Sequence, residues 1–175
     1  MTETTSAGHG DAPATGSVDG AALTHLDSRG AARMVDVSGK DVTVRSATAS
    51  GFVRTSPVVV GLLRGEGVPK GDALAVARIA GIQAAKRTPD LVPLCHPIAI
   101  HGVVVDLTVE DDGVRIRATV RTADRTGVEM EALTCVAAAA LTVVDMVKAV
   151  DRAAVITDVQ VEEKSGGRSG PWHRP

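Results

Sequence analysis

From Ala132 to Val144 the chain runs thirteen residues without a charge, and only Thr134 and Thr142 are polar. The run lies inside a longer segment, about Glu129 to Val150, that reads as one helix. A helix apolar nearly all round needs cover on more than one side. The chain has 175 residues, which suits one compact domain with a tail. Its own elements supply part of that cover, and a subunit interface is a natural source of the rest. A lipid bilayer is the other medium that accepts such a helix, but the apolar run is shorter than the roughly 20 residues a span requires.

The material around that helix is aliphatic. Hydrophobic residues make up 44% of the chain, yet Phe52 and Trp172 are the only aromatics. Ala, Val, Leu and Ile must therefore fill the core by close packing. The same scarcity removes the stacking platforms that a single-strand nucleic-acid reader needs. A net charge of -2 removes the basic field needed for non-specific nucleic-acid binding. Cys95 and Cys135 are too few for a disulfide framework and form no CxxC pair for zinc, so a reducing compartment is the simpler expectation. The first 22 residues hold neither Lys nor Arg and no long apolar run. They fit neither a secretory nor a transit signal, and read as a disordered tail of small and polar residues.

Along the rest of the chain, Val42 to Thr55 reads as a strand with imperfect alternation. Pro57 to Leu63 reads as a short helix. Asp72 to Arg87 predicts a helix capped by Asp72, slim enough along its alanines and Gly81 for close packing. Pro89, Pro93 and Pro97 predict an irregular, extended connection. Val103, Val105, Leu107 and Val109 alternate with Val104, Asp106, Thr108 and Glu110, and after Asp111-Asp112-Gly113 Val114, Ile116, Ala118 and Val120 alternate with Arg115, Arg117, Thr119 and Arg121. This is a hairpin with one apolar face. Val155, Val159 and Val161 mark a last strand, and residues from Ser165 onward read as a flexible Gly-rich segment. The organisation is thus a tail over 1–22, one α+β domain over 23–164, and a Gly-rich segment over 165–175. The order of strand, helix, hairpin, helix and strand predicts a ferredoxin-like plait, an antiparallel sheet with helices packed on one face.

Several residues could carry chemistry, and each also has a plainer reading. Leu94-Cys95-His96-Pro97 sits in a Pro-stiffened loop able to aim an imidazole, which can move a proton or bind phosphate. The plainer alternative is a buried small cysteine beside a surface histidine. A Cys/His nucleophilic pair is disfavoured because neighbours in extended chain point apart. Glu129 and Glu131 stand at the start of the long helix, where they either compensate its dipole or read a guanine-like edge. They point the same way if the chain is extended and diverge if it is helical. Asp145 and Lys148 are three apart on one helix face, as a surface ion pair or an acid/base pair in a cleft. Lys70 precedes a helix start. Lys164 precedes Ser165-Gly166-Gly167-Arg168-Ser169-Gly170, whose glycines would let backbone N–H groups approach an anion while Lys and Arg supply charge; the plainer reading, favoured on this feature alone, is a solvated C-terminal tail. That segment lacks the spacing of a Walker A loop.

Taken together, Met34-Val35-Asp36-Val37-Ser38, Lys70-Gly71-Asp72, Ala77 to Thr88, Leu94 to Pro97, Thr126 to Thr134, Asp145 to Val150 and Lys164 to Gly170 resemble one family. The chain resembles the cyclic pyranopterin monophosphate synthases, the C protein of the molybdenum-cofactor pathway, over about Leu23 to Gly170. Three departures are the N-terminal tail, which reads as an extension with no motif, Pro89 after the Lys86-Arg87-Thr88 run, and Arg168 at a position that is often Lys. The resemblance implies a phosphorus–oxygen lyase acting on 3',8-cyclo-7,8-dihydroguanosine 5'-triphosphate, with release of diphosphate. It implies a cytoplasmic homohexamer, a trimer of dimers with sites between subunits. It also implies a site of Lys70, His96, Glu129, Glu131, Asp145, Lys148 and Lys164, with Leu94, Cys95 and Met130 on the substrate-binding surface. On that reading Lys70, His96 and Lys164 hold the triphosphate, Glu129 and Glu131 read the ring, and Asp145 and Lys148 move protons. The expected chemistry needs no protein-bound cofactor or metal, and Mg²⁺ accompanying the triphosphate is compatible with it. Two rival readings are a ferredoxin-like ligand-binding regulatory module and an RNA-binding plait; the second would need surface aromatics on its strands.

Overall fold

The computed structural model describes residues 23–65 and 72–175. Among the described residues five strands and four helices follow in the order β1 (Thr43–Arg54), α1 (Pro57–Arg64), α2 (Ala73–Ala85), α3 (Thr88–Leu91), β2 (Gly102–Glu110), β3 (Gly113–Asp124), α4 (Glu129–Val147), β4 (Val155–Ser165) and β5 (Trp172–His173). They build one antiparallel sheet in the order β2-β3-β1-β4-β5. The first four strands carry the ferredoxin-like order, and α2 and α4 cover one face. The chain divides between Val35 and Asp36. The described part of the first unit is a tight turn, in which Asp27 Oδ1 accepts hydrogen bonds from the amides of Arg29 and Ala31.

The hairpin has its expected face. Val105, Val114, Ile116, Ala118 and Val120 are buried, and Val105 sits opposite Ala118. Gly113 lies outside the two-residue turn and serves a different purpose. A Cβ there would collide with the Val53 carbonyl oxygen and the Phe52 ring. Strand β1 alternates poorly because it is central and buried on both faces from Ala47 to Val53. Ala47, Ala49 and Val53 enter the helix-side core. On the other face Phe52 is roofed by the Arg115 guanidinium, 4.7 Å from the ring centre.

Helix α2 begins where Asp72 accepts a hydrogen bond from the Ala75 amide at 2.9 Å. Its buried stripe is Ala77, Gly81 and Ala85, and Gly81 lets the Cys135 backbone of α4 come close. Helix α4 has the length and hydropathy of a membrane span, more than its uncharged run suggested. Yet Ala132, Cys135, Val136, Ala139, Ala140 and Val143 are fully buried against α2 and the sheet. It is the core helix, and it ends at Val147 with Lys148 as its C-cap.

Two segments differ from their sequence reading. The Pro-rich connection opens with a one-turn helix, α3, because Pro89 falls in a first turn where its missing N–H is harmless. The Gly-rich segment after Ser165 contains β5, whose Trp172 and His173 pair with Lys164 and Glu163.

Candidate active site

The two acidic residues at the start of α4 point apart, as a helix requires. Glu129 folds back over Gly127, where any Cβ would overlap its carboxylate, and pairs with Lys164 at 3.3 Å. Together with Arg45 and Gly166 they line a small cavity of about 60 Å³. Glu131 turns inward and is only 3% exposed. It borders a second cavity of about 180 Å³ with Lys86, Arg87, Pro97 and Ile98. Burial pushes its carboxyl up to about 7, its own backbone N–H pulls the other way, and the charge of Glu129 adds to the rise. A carboxyl poised there can both give and accept a proton near neutrality.

The Leu94–Pro97 loop reaches this end of the molecule. Cys95 closes a turn through its amide onto the Val92 carbonyl at 3.0 Å. Burial first, and then the charge of Glu131, raise its thiol's proton affinity, which leaves it a poor nucleophile. Cys135 is raised further, to about 12, by burial. His96 is half-buried and within electrostatic reach of Asp36. Asp36 is itself held below the ordinary carboxylate range, mainly by the Ser38 amide at 2.8 Å. Leu94 is half-buried and Met130 is 39% exposed.

Lys164 is the penultimate residue of β4, and its Nζ donates to Ser169 Oγ at 2.9 Å. Beyond it a cavity of about 700 Å³ opens, lined by Lys40, Arg45, Arg168, Thr43 and Ser169, with Asp41 also present. Arg45 is oriented by a 2.9 Å hydrogen bond from its Nε to the Asp124 carbonyl. Gly166 and Gly167 take φ of +87° and +74°. Side chains there would strike the Val44 carbonyl and the Arg45 guanidinium, so only glycine lets this loop lie against β1. Arg45 and Lys40 do not stand out in the sequence as site residues, whereas Arg168 belongs to the Lys164–Gly170 segment that does. An arginine on a strand reads as a solvent-facing charge, and only the register of β1 against β3 and β4 turns it towards Lys164.

Asp145 and Lys148 are elsewhere. They form a pair of 2.5 Å at the C-terminal end of α4, with both side chains largely exposed. Glu131 and Asp145 are fourteen residues apart on one helix, so their backbones are separated by about 21 Å. One copy of the chain thus gathers Cys95, Glu129, Glu131 and Lys164 at one end of α4 and leaves Asp145 and Lys148 at the other. Lys70 lies outside the described residues.

A ferredoxin-like α+β protein with a buried carboxyl of raised proton affinity at the start of its core helix, and a separate cleft lined by Lys40, Arg45 and Arg168, is the class that this fold and this geometry define. Residues 34–167 match the model of the MoaC family, and the chain belongs to that family. It is 74% identical over 152 residues to the cyclic pyranopterin monophosphate synthase of Streptomyces avermitilis, covering 87% of this chain and 89% of that one. The protein of that name from a Nocardioides species is 74% identical over 156 residues, covering 87% of this chain and 96% of its own length. Cyclic pyranopterin monophosphate synthase 2 of Mycobacterium tuberculosis is 60% identical over 152 residues, covering 87% and 91%.

Proposed function

We propose that this chain is a cyclic pyranopterin monophosphate synthase, an enzyme of molybdenum-cofactor assembly. It converts 3',8-cyclo-7,8-dihydroguanosine 5'-triphosphate to cyclic pyranopterin monophosphate and releases diphosphate. The observation that carries this reading is the 74% identity to proteins of that name along most of both chains.

The site is completed by a second copy. Asp145 stands about 21 Å along α4 from Glu131 and the C-cap Lys148 about 25 Å, too far to share one bound nucleotide with it in a single protomer. A two-fold pair sets the same surface of each copy against the other. With the α4 axes antiparallel, such a pair would bring the acidic end of one helix to the Asp145/Lys148 end of its mate. Leu141 and Ile79, 62% and 57% exposed on α4 and α2, supply apolar area for that contact. A trimer of such dimers, in the cytoplasm, is the assembly this reading carries.

In the completed site Lys164 and His96, with Lys70, hold the polyphosphate, which extends towards Lys40, Arg45 and Arg168. Glu129 accepts hydrogen bonds from the ring's amino and N–H donors, and Glu131 gives or takes a proton there. Asp145 and Lys148 carry protons as the purine-derived ring opens and recloses. A sugar hydroxyl oxygen then bonds to the α-phosphorus, and the bond from that phosphorus to the bridging oxygen of diphosphate breaks. The hydroxyl proton passes to the Asp145/Lys148 pair, and the cations offset the charge that accumulates on the phosphates. The enzyme is a phosphorus–oxygen lyase on this account.

The test is incubation with the cyclic triphosphate, measuring diphosphate and identifying the product; absence of both sinks the reading. Subunit complementation tests the shared site. Glu131→Gln and Lys148→Ala chains, each inactive alone, should regain about a quarter of wild-type activity when co-assembled at random, because half of the dimers are mixed and each carries one intact site. No recovery in demonstrably mixed oligomers places both residues in one protomer's site.

A further inference from the structure

Strand β5 lies beyond residues 34–167, the part that matches the family model. It is two residues long, and exposed on both. Such a strand has little packing of its own, yet it is held at several points. Trp172 and His173 pair with Lys164 and Glu163. The Arg174 amide donates to the Glu162 carbonyl at 2.8 Å, and its Nε donates to the Val161 carbonyl, also at 2.8 Å. The same guanidinium sits 5.8 Å from the centre of the Trp172 ring and 3.8 Å from the Glu162 carboxylate. Glu162 is in turn tied to β1 through the Ser50 hydroxyl and to the Gln160 amide at 3.0 Å.

What this strand closes is the loop that carries Arg168 and Ser169. Its three glycines, Gly166, Gly167 and Gly170, all have positive φ. They make it the stretch with most backbone freedom to lose on ordering. Its near end is pressed onto β1 at Val44 and Arg45, and beyond Gly170 the chain is tied to β4 through β5. Inside the closed loop the Gly170 amide meets the Gly167 carbonyl at 3.3 Å and Lys164 meets Ser169 at 2.9 Å.

We propose that β5 is a clasp that pre-orders the Lys164–Gly170 anion loop, with Arg174 as the positioning residue that locks it. Arg174 does not touch substrate. It holds the loop in its binding form before the polyphosphate arrives, so that ordering is not charged against binding. The activity arm of the test rests on the synthase reading; the exchange arm does not.

Arg174→Ala and Trp172→Ala are made in the full chain. Amide hydrogen exchange at Gly166, Gly167 and Gly170 should quicken at least tenfold, with trypsin newly cutting after Arg168, while exchange in α4 stays as in wild type. With the cyclic triphosphate, KM should rise about tenfold, equivalent to about 1.4 kcal/mol, with kcat within about twofold. The affinity for inorganic diphosphate should fall by a similar factor. Unchanged exchange in the loop overturns the clasp. Quickened exchange with unchanged KM and unchanged diphosphate affinity overturns the positioning role. A wild-type protein that does not turn over the triphosphate refutes the synthase reading, and the exchange and diphosphate arms then judge the clasp alone.

Discussion

Glu131→Gln keeps the shape of a buried side chain and removes its titration. In the native protein burial, aided by the Glu129 charge, lifts the carboxyl from an ordinary 4.5 to about 7. Between those two values the folded chain holds more protons than the unfolded one, so native stability falls as pH rises through the interval and then levels off. At ~1.4 kcal/mol per pH unit the interval is worth about 3 kcal/mol. Gln escapes that loss because it never ionises. Its amide brings its own constant offset, so the slope against pH is the diagnostic quantity. The stability of Glu131→Gln relative to wild type should climb between about pH 4.5 and 7 by up to about 3 kcal/mol. In a domain of this size that corresponds to roughly 6–12 °C in Tm. Urea titrations from pH 5 to 8, at one protein concentration because assembly couples to stability, measure it. A difference that stays flat with pH refutes the elevated proton affinity and the proton-carrying role built on it.

Three further outcomes follow from single contacts. Gly81→Ala puts a Cβ 2.9 Å from the Cys135 carbonyl oxygen and 3.1 Å from its sulfur, so α2 must move off α4. A loss of about 1–3 kcal/mol is expected, and an unchanged Tm contradicts it. Asp151 accepts hydrogen bonds from Thr55 Oγ1 at 2.8 Å, the Ser56 amide at 2.7 Å and the Ala153 amide at 2.9 Å, which hold its carboxyl below the ordinary range. Asp151→Ala should lower Tm at pH 7, and the difference should shrink as pH falls through that depressed value; a gap that widens in acid would count against the assignment. Lys148→Ala should abolish turnover while calorimetry still detects substrate binding, and near-normal turnover removes Lys148 from the proton-transfer pair.

The parts of the fold that were legible are those with one covered face. The hairpin showed because β2 and β3 alternate, and the α2 seam because Ala77, Gly81 and Ala85 recur every fourth residue. Strand β1 blurred because its second face is buried by Arg115 and Glu162, side chains that look solvated in a linear reading. Strand β5 was invisible because two residues after a Gly- and Pro-containing loop carry no period at all. Of the candidate site, residue types were readable and surroundings were not. Nothing in the string Glu-Met-Glu says that the first carboxylate pairs with Lys164 and the second is buried. That difference comes from the 100° turn per residue at the start of α4.

The same periodicity bears on how many chains make a site. Glu131 and Asp145 lie on a helix whose interior is apolar and fully packed, with no proline and no glycine from Glu129 to Val147. Such a helix does not kink to bring its ends together. Fourteen residues therefore keep these two groups about 21 Å apart in any folded copy, whatever the loops do. Chemistry that needs both groups at one nucleotide must take them from different copies. Chemistry confined to one copy must do without one of them. On the proposed shared site, the apolar helix that first demanded extra cover is the element that would bring a second copy into the reaction. On that proposal, an interface that covers α4 without pairing its opposite ends would satisfy the packing and still leave the proposed site incomplete.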